Sequence, residues 1–351
     1  MTKVLIVTGS GRSGTSSVGG TLKRLGFRIP QPEVATDENN PRGYYEPLWI
    51  AEFHKEWLNS LPVRTIDARP HAGEVAMASL TPERRAVLRE WLAEDVKSHP
   101  DSDVVVIKET RAYWVYPMWR DVADDIGAEL ISLTMLRHPT QVVRSRDTAY
   151  LSAEDDALRL QRETANVGAW MNSVFVTERA TRHNPRAFVP YYDLLGDWRG
   201  AMTRACGQLG LPLGDLTAPH PVDDFLTSSL NRSADVWDGL EVPAALRDLA
   251  DQTWAASQAL VTTPDDRAAM AELDRLSAAY GDLYRWSAAL AGDEATYQVY
   301  EERRRLRARL AVKNERIEKL RTDLETRMTR KNARLAQLRA ELRELRARDR
   351  S

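Results

Sequence analysis

The chain has only one cysteine, Cys206, so no disulfide can form within it and no cysteine-held metal cluster can be built. Cys206 falls on the apolar side of a helical stretch, where a buried thiol is expected. No run of eighteen apolar residues occurs, which excludes an ordinary membrane-spanning helix. The apolar residues 4–7 are too few for the core of a signal peptide. With a net charge of −2, nothing electrostatic points to nucleic acid as a partner. His, Asp and Glu nowhere recur at metal-ligand spacing, so no metal is expected. These absences lead to a cytoplasmic expectation. Core material is plentiful: 43% of the 351 residues are apolar and ten are Trp, enough for one large domain or two smaller ones.

The most informative stretch lies at the start. Residues 3–8 read as a buried strand, and Gly-Ser-Gly-Arg-Ser-Gly at 9–14 follows as a small-residue loop. A helix then opens at Thr15 or Ser16. Such a strand–loop–helix turns backbone N–H groups toward one point at the positive end of a helix dipole, which suits a phosphate. Gly11 and Gly14 let the backbone wrap an anion closely, Arg12 adds a planar cation, and Ser13, Thr15, Ser16 and Ser17 add donors. A P-loop NTPase would have lysine where this chain has Thr15, so the usual triphosphate clamp is missing. A dinucleotide fold would need a second strand ending in an acid near residues 28–36, where Pro30 and Pro32 argue against one.

The loop resembles the 5′-phosphosulfate loop of sulfotransferases that use 3′-phosphoadenosine 5′-phosphosulfate (PAPS). A second segment carries the same resemblance: a strand at 130–136, then Arg-His-Pro-Thr-Gln-Val-Val-Arg-Ser at 137–145. In that family an arginine ending a strand and a serine eight residues on bind the 3′-phosphate, which implies that role for Arg137 and Ser145. Read alone, Arg137 could equally be a surface arginine. Asn-Pro-Arg-Gly-Tyr-Tyr-Glu at 40–46, the strand and Lys-Glu-Thr-Arg at 104–111, and Tyr-Tyr-Asp-Leu-Leu at 191–195 are similar to segments of bacterial members. The resemblance covers roughly residues 1–235. It departs from the cytosolic small-molecule enzymes where Thr110 replaces their catalytic histidine and where their late Arg-Lys-Gly segment has no clear match.

Strands are expected at 3–8, 103–108, 130–136 and 187–190, and helices at 15–26, 46–60, 82–98, 115–126, 140–151, 157–183 and 198–209. Residues 243–292 read as helical and alanine-rich. Strands separated by helices give an α/β fold with a central parallel sheet. Thr140 is the expected cap of the helix after Pro139. Close helix–sheet packing is the expected reason for Gly19 and Gly20 early in a helix, where glycine costs about 1 kcal/mol relative to alanine.

Residues 301–351 differ in character, with 18 Lys and Arg against 9 Asp and Glu; the rest of the chain holds 31 against 42. This segment has no Gly or Pro. Leu306, Leu310, Ile317, Leu320 and Leu324 keep a 3–4 spacing, and so do Leu335, Leu338, Leu342 and Leu345. A four-residue step to Met328 joins the blocks as a stutter. The expectation is a 1–292 enzyme-like domain followed by a long helix, 293–351, forming a coiled coil. A solvated single helix held by pairs such as Glu315 with Lys319 is the other reading. Parallel homodimerisation is the expected use, ahead of contact with an anionic membrane face.

Sulfuryl transfer requires positioning, a cation near the bridging oxygen and a base for the acceptor hydroxyl. Arg12 and Lys108 are the candidate cations, although Lys108 also reads as a solvated strand-end lysine. Glu46 and Glu109 compete as base: Glu46 could instead complement a helix dipole, and Glu109 could pair with Arg111 or Lys108. His54 is a lesser candidate, and His138 reads as structural. The resemblance implies PAPS as donor and a carbohydrate or lipid hydroxyl as acceptor. Two other readings stay open: a divergent P-loop nucleotide kinase, which explains only the first loop, and a catalytically weak coiled-coil scaffold.

Overall fold

The structure, a computed structural model, describes residues 1–38, 40–150, 158–226 and 235–348. The helix boundaries expected at 151 and 157, and residues 349–351 of the expected terminal helix, lie outside the described residues.

The four apolar runs form four strands: β1 (Lys3–Thr8), β2 (Val104–Lys108), β3 (Glu129–Leu136) and β4 (Arg186–Pro190). All pair in parallel, in the order β2-β1-β3-β4. Their near-continuous burial is what a parallel sheet covered on both faces requires. Between β1 and β2 lie α1 (Thr15–Arg24), α2 (Leu48–Asn59), α3 (Ala72–Ala78) and α4 (Pro82–Ser98). A 3-10 turn (Ala112–Val115) and α5 (Tyr116–Asp125) lead to β3, and α6 (Pro139–Tyr150) and α7 (Arg159–Thr181) lead to β4. Then follow α8 (Tyr191–Gly196), α9 (Trp198–Leu209), α10 (Pro221–Phe225), α11 (Ala244–Thr262) and α12 (Arg267–Arg348).

The pleat sorts the core. Leu5, Val7, Val106 and Leu133 face Val18 and Leu22 of α1 and Met202 of α9. Ile6, Val105 and Ile107 face Trp57, Trp114 and Trp119 on the other side. Phe188 joins α6, α7, α11 and the start of α12 in a third cluster. Cys206 is buried within the first, and burial pushes its thiol up to about 12. From β1 the chain steps to β2 on one side and then crosses to β3 on the other. Directions therefore diverge at the carboxyl ends of β1 and β3, where open α/β folds form their ligand crevice.

Three short helices, α3, α8 and α10, have too few residues to show a periodicity in the sequence. Thr140 does not cap α6. That helix starts one residue earlier, at Pro139, whose fixed φ suits a first helical position. The Thr140 hydroxyl instead lies 2.7 Å from His138 Nδ1. Gly19 and Gly20 make room chiefly for aromatic side chains rather than for the sheet. A Cβ on Gly20 would come within 2.4 Å of Phe225 and 2.7 Å of Tyr45, and one on Gly19 within 3.1 Å of Tyr45.

The chain divides into two units, Met1–Tyr284 and Arg285–Ser351. The second is helical over all its described length, and its large apolar side chains are exposed. Among the described residues no helix is long and apolar enough to cross a membrane, and no cluster of three or more His, Cys, Asp or Glu could hold a metal ion.

Candidate active site

Each strand delivers one functional group at its carboxyl end: the 9–14 loop after β1, Lys108 on β2, Arg137 after β3 and Tyr191 after β4. The loop is tightly shaped. Gly14 has φ +93°, and a Cβ there would lie 2.2 Å from the Tyr191 ring; a Cβ on Gly9, at φ +141°, would lie 2.7 Å from the Met135 carbonyl. Arg12, which has a Cβ, is itself left-handed at φ +72°. The other non-glycine residue at positive φ among those described is Tyr45, at +56°, beside Glu46. Each such conformation costs about 1–2 kcal/mol and persists where the surroundings over-determine it. Tyr45 is held by hydrogen bonds between its hydroxyl, the Arg42 carbonyl (2.6 Å) and Arg24 (3.2 Å).

The two anion-binding elements read from the sequence meet. Arg12 Nε donates to Ser145 Oγ at 3.1 Å, and Arg137 Nη1 donates to the Arg12 carbonyl at 2.9 Å. Arg137 is 6% exposed; its guanidinium lies 4.5 Å above the Tyr191 ring and its Nε donates to Gln141 at 3.2 Å. Its own carbonyl is pinned by Trp170 Nε1 at 3.0 Å. Burial holds the Arg137 pKa below the ordinary arginine value, and Arg12 adds to this, against opposition from Tyr191 and Tyr192. A partly desolvated guanidinium that feels a second positive charge is stabilised by a bound anion. The buried Gln141 Nε2, without a hydrogen-bond partner among the described residues, belongs to the first turn of α6, one turn before Ser145.

The contributions within the loop are unequal. Gly11 and Gly14 supply the cradle, and the first turn of α1, with Thr15 and Ser16, presents N–H groups that have no intrahelical acceptor. Ser13 is turned inward: its N–H donates to the Ser10 carbonyl at 3.0 Å, and its hydroxyl lies buried with those of Ser10 and Thr134 around a small interior gap. Ile66 and Arg146 close over Gly11, 3.7 and 3.9 Å from where its Cβ would stand. Ile66 belongs to an irregular segment whose carbonyls are fastened from below by Tyr113 and Trp114 at Thr65 and by Asn172 at Asp67 and Arg69.

The catalytic candidates separate. Lys108, 2% exposed, donates from Nζ to Glu46 Oε1 at 2.5 Å and lies 3.4 Å from Ser16 Oγ, which Asn40 also contacts at 3.2 Å. The remaining Glu46 oxygen, Oε2, has no hydrogen-bond partner among the described residues. Lys108, Glu46 and Ser16 thus form one group at the helix start. Glu109 is not part of it. Neighbouring residues leaving a strand point to opposite faces, and Glu109 enters the tryptophan-rich side with no exposure. There it meets His54 Nδ1 at 2.6 Å, the Arg111 N–H at 2.8 Å and Arg111 Nη1 at 2.5 Å. Burial alone would raise its pKa, but the His54 hydrogen bond and charge, with Arg111, hold it below the ordinary value.

Tyr191, Gln141, Asn40 and Arg146 were not singled out from the sequence. For Tyr191 a signal was present, since it opens the Tyr-Tyr-Asp-Leu-Leu segment directly after a strand.

No protein-family model matches the chain, and no curated protein matches it. Solved structures similar to it include two sulfotransferase domains. One is a sulfotransferase domain from the olefin synthase of Synechococcus PCC 7002, 17% identical, aligned over 79% of this chain and 94% of that one, with a TM-score of 0.37. The other is a sulfotransferase domain from the curacin biosynthetic pathway, 14% identical, aligned over 79% and 97%, with a TM-score of 0.38.

Proposed function

We infer that this chain is a sulfotransferase that moves a sulfuryl group from PAPS to an acceptor hydroxyl. The observation that carries the reading is the convergence of Arg12, Arg137 and Ser145, from two segments far apart in sequence, on one crevice beside a glycine-shaped loop. A nucleotide with a single phosphate cluster would use the loop and leave the second group of donors without a purpose. A donor bearing both a 5′ and a 3′ anionic group uses both. The residues present fit such a ligand: a loop whose Gly9 and Gly14 leave no room for a Cβ, first-turn amides, two arginines joined through the Arg12 carbonyl and an orphaned buried amide.

In this reading the loop amides with Thr15 and Ser16 hold the 5′ side, and Arg137, Ser145 and Arg12 hold the 3′-phosphate. Lys108 neutralises charge near the bridging oxygen. Glu46 accepts the acceptor's proton on the oxygen that Lys108 does not occupy, while the acceptor oxygen bonds to sulfur and the bond from sulfur to the phosphate oxygen breaks. By the sequence resemblance the acceptor is a carbohydrate hydroxyl first and a lipid hydroxyl second.

Isothermal calorimetry tests the donor. 3′-Phosphoadenosine 5′-phosphate should bind at least about tenfold more tightly than ADP, as charge-assisted hydrogen bonds of about 1.5–3 kcal/mol each require. Equal affinity, or a preference for ATP with magnesium, would turn the reading toward a kinase.

A further inference from the structure

The second unit carries a surface that the proposed chemistry does not use. From Leu306 to Leu345, eleven large apolar side chains remain between 42% and 68% exposed along α12, and all but Val312 lie on one stripe. With Leu310 at a and Lys313 at d, the heptad runs through Ile317, Leu320 and Leu324. It resumes after one stutter with Met328 at a, Lys331 at d, and Leu335, Leu338, Leu342 and Leu345. The stripe is about 60 Å long at 1.5 Å per residue. Its two-in-seven width suits one partner helix rather than a bundle or a lipid surface, both of which call for a broader apolar face. Lys313 and Lys331 within the stripe also disfavour burial in lipid.

What flanks the stripe selects the partner. Of the eleven e and g positions between Leu306 and Arg346, seven are arginine, two are asparagine and two are acidic, Asp323 and Glu341. The other acids of this stretch include Glu315, Glu318 and Glu325, which fall on the outer b and f positions. Some ion pairs run within the helix, as Lys319 to Glu315 at 2.7 Å and Arg321 to Glu318 at 2.9 Å, but they are exposed and contribute little. A second copy in parallel register would stack Lys313 on Lys313 and Lys331 on Lys331, and would set Arg316 against Arg321 and Arg334 against Arg339. An antiparallel offset that separates the lysines sets Arg316 against Arg334. Self-pairing therefore places like charges across the seam in either direction.

We propose that this helix is a docking strand for an acidic helix of another protein: leucine at a and d, glutamate at e and g, and carboxylates facing Lys313 and Lys331. The partner chemistry relieves the lysine and arginine repulsions that a second copy would create and keeps the apolar seam intact, with only Asp323 and Glu341 facing like charge. The interaction uses none of the residues of the proposed active site and does not depend on that assignment.

The test uses the full chain and two synthetic 40-residue heptad peptides, both with leucine at a and d except opposite Lys313 and Lys331, one with glutamate and one with lysine at those two positions and at e and g. Sedimentation equilibrium and fluorescence anisotropy should give a one-to-one complex with the glutamate peptide, at least about tenfold tighter than with the lysine peptide. A chain carrying R316E, R321E, R334E and R339E should reverse that preference while keeping its helical circular dichroism. Equal binding of both peptides overturns the proposal. So does a homo-oligomer of the wild-type chain that excess glutamate peptide fails to dissociate, or binding to phosphatidylserine vesicles without binding to the glutamate peptide.

Discussion

Arg12 Nε and Ser145 Oγ lie 3.1 Å apart although 133 residues separate them in the chain, and the carbonyl of the same arginine accepts from Arg137. One left-handed residue therefore ties the loop after β1 to the helix after β3. If that junction holds a 3′-phosphate, removing one donor should erase selectivity before it erases binding. Ser145→Ala should reduce the preference for 3′-phosphoadenosine 5′-phosphate over ADP by about fivefold or more, and Arg137→Ala by about 10–100-fold. Arg137→Lys should behave like the alanine variant, because lysine cannot both stack on Tyr191 and reach the Arg12 carbonyl. An unchanged ratio in calorimetry for all three would remove the 3′-phosphate from this site.

Glu46 and Glu109 should part company under the same substitution. Glu46→Gln keeps shape and loses proton acceptance, so turnover should fall roughly 10²–10⁴-fold with nucleotide affinity little changed. Glu109→Gln removes the carboxylate from a buried set with His54 and Arg111. Breaking such a set costs about 3–5 kcal/mol, so its effect should appear as a lowered melting temperature. Full stability with lost turnover for Glu109→Gln would reverse these roles.

Gly14→Ala should disturb the loop twice, through φ +93° and through collision with Tyr191. Tyr191→Ala removes the collision, leaves the backbone strain and takes the ring from under Arg137. The double variant should therefore recover part, not all, of the anion affinity that Gly14→Ala loses, with sulfate or nucleotide titration as the readout. Full recovery would mean the dihedral angle carries no cost.

His138 gives a pH dependence. Its imidazole is held below the usual value first by burial and also by Arg144, against the opposing pull of Asp251 and Asp235. Its ring meets Trp237 and Trp254 edge-on at 6.1 and 5.5 Å. The folded pKa is depressed, so the native state binds fewer protons than the unfolded chain. Stability is unaffected above the unfolded value of about 6.5 and falls as the pH drops toward the folded pKa. Urea titrations between pH 7.5 and 5 should show that loss in the wild type and a smaller one in His138→Gln. Parallel curves for the two would exclude this residue as the source.

Local pattern carried much of this architecture. Buried strands announce themselves as short runs of Val, Ile and Leu, and the loop and the Arg137 segment stand out because their residues are unusual for plain packing. What stayed hidden depends on direction in space. Lys108 and Glu109 are neighbours in sequence, and only the pleat of β2 decides that one faces Glu46 and the other His54. Ser13 looks like a donor until the turn that bonds its N–H to Ser10 rolls its hydroxyl inward. Tyr191 could not be matched to Gly14 without knowing that β4 lies beside β3. The 62–71 segment lacks periodicity because its order comes from side chains on other elements.

That dependence on Tyr191 bears on how the protein comes into being. A ribosome releases the strand, loop and first helix early, yet the ring that fills the space beside Gly14 and the aromatic floor under Arg137 arrive only with the residues after β4. Until then the emerging chain has the loop's sequence without its shape. A nascent polypeptide halted before residue 186 should have little grip on a nucleotide, and the proposed chemistry would be withheld until all four strands of the sheet have been made.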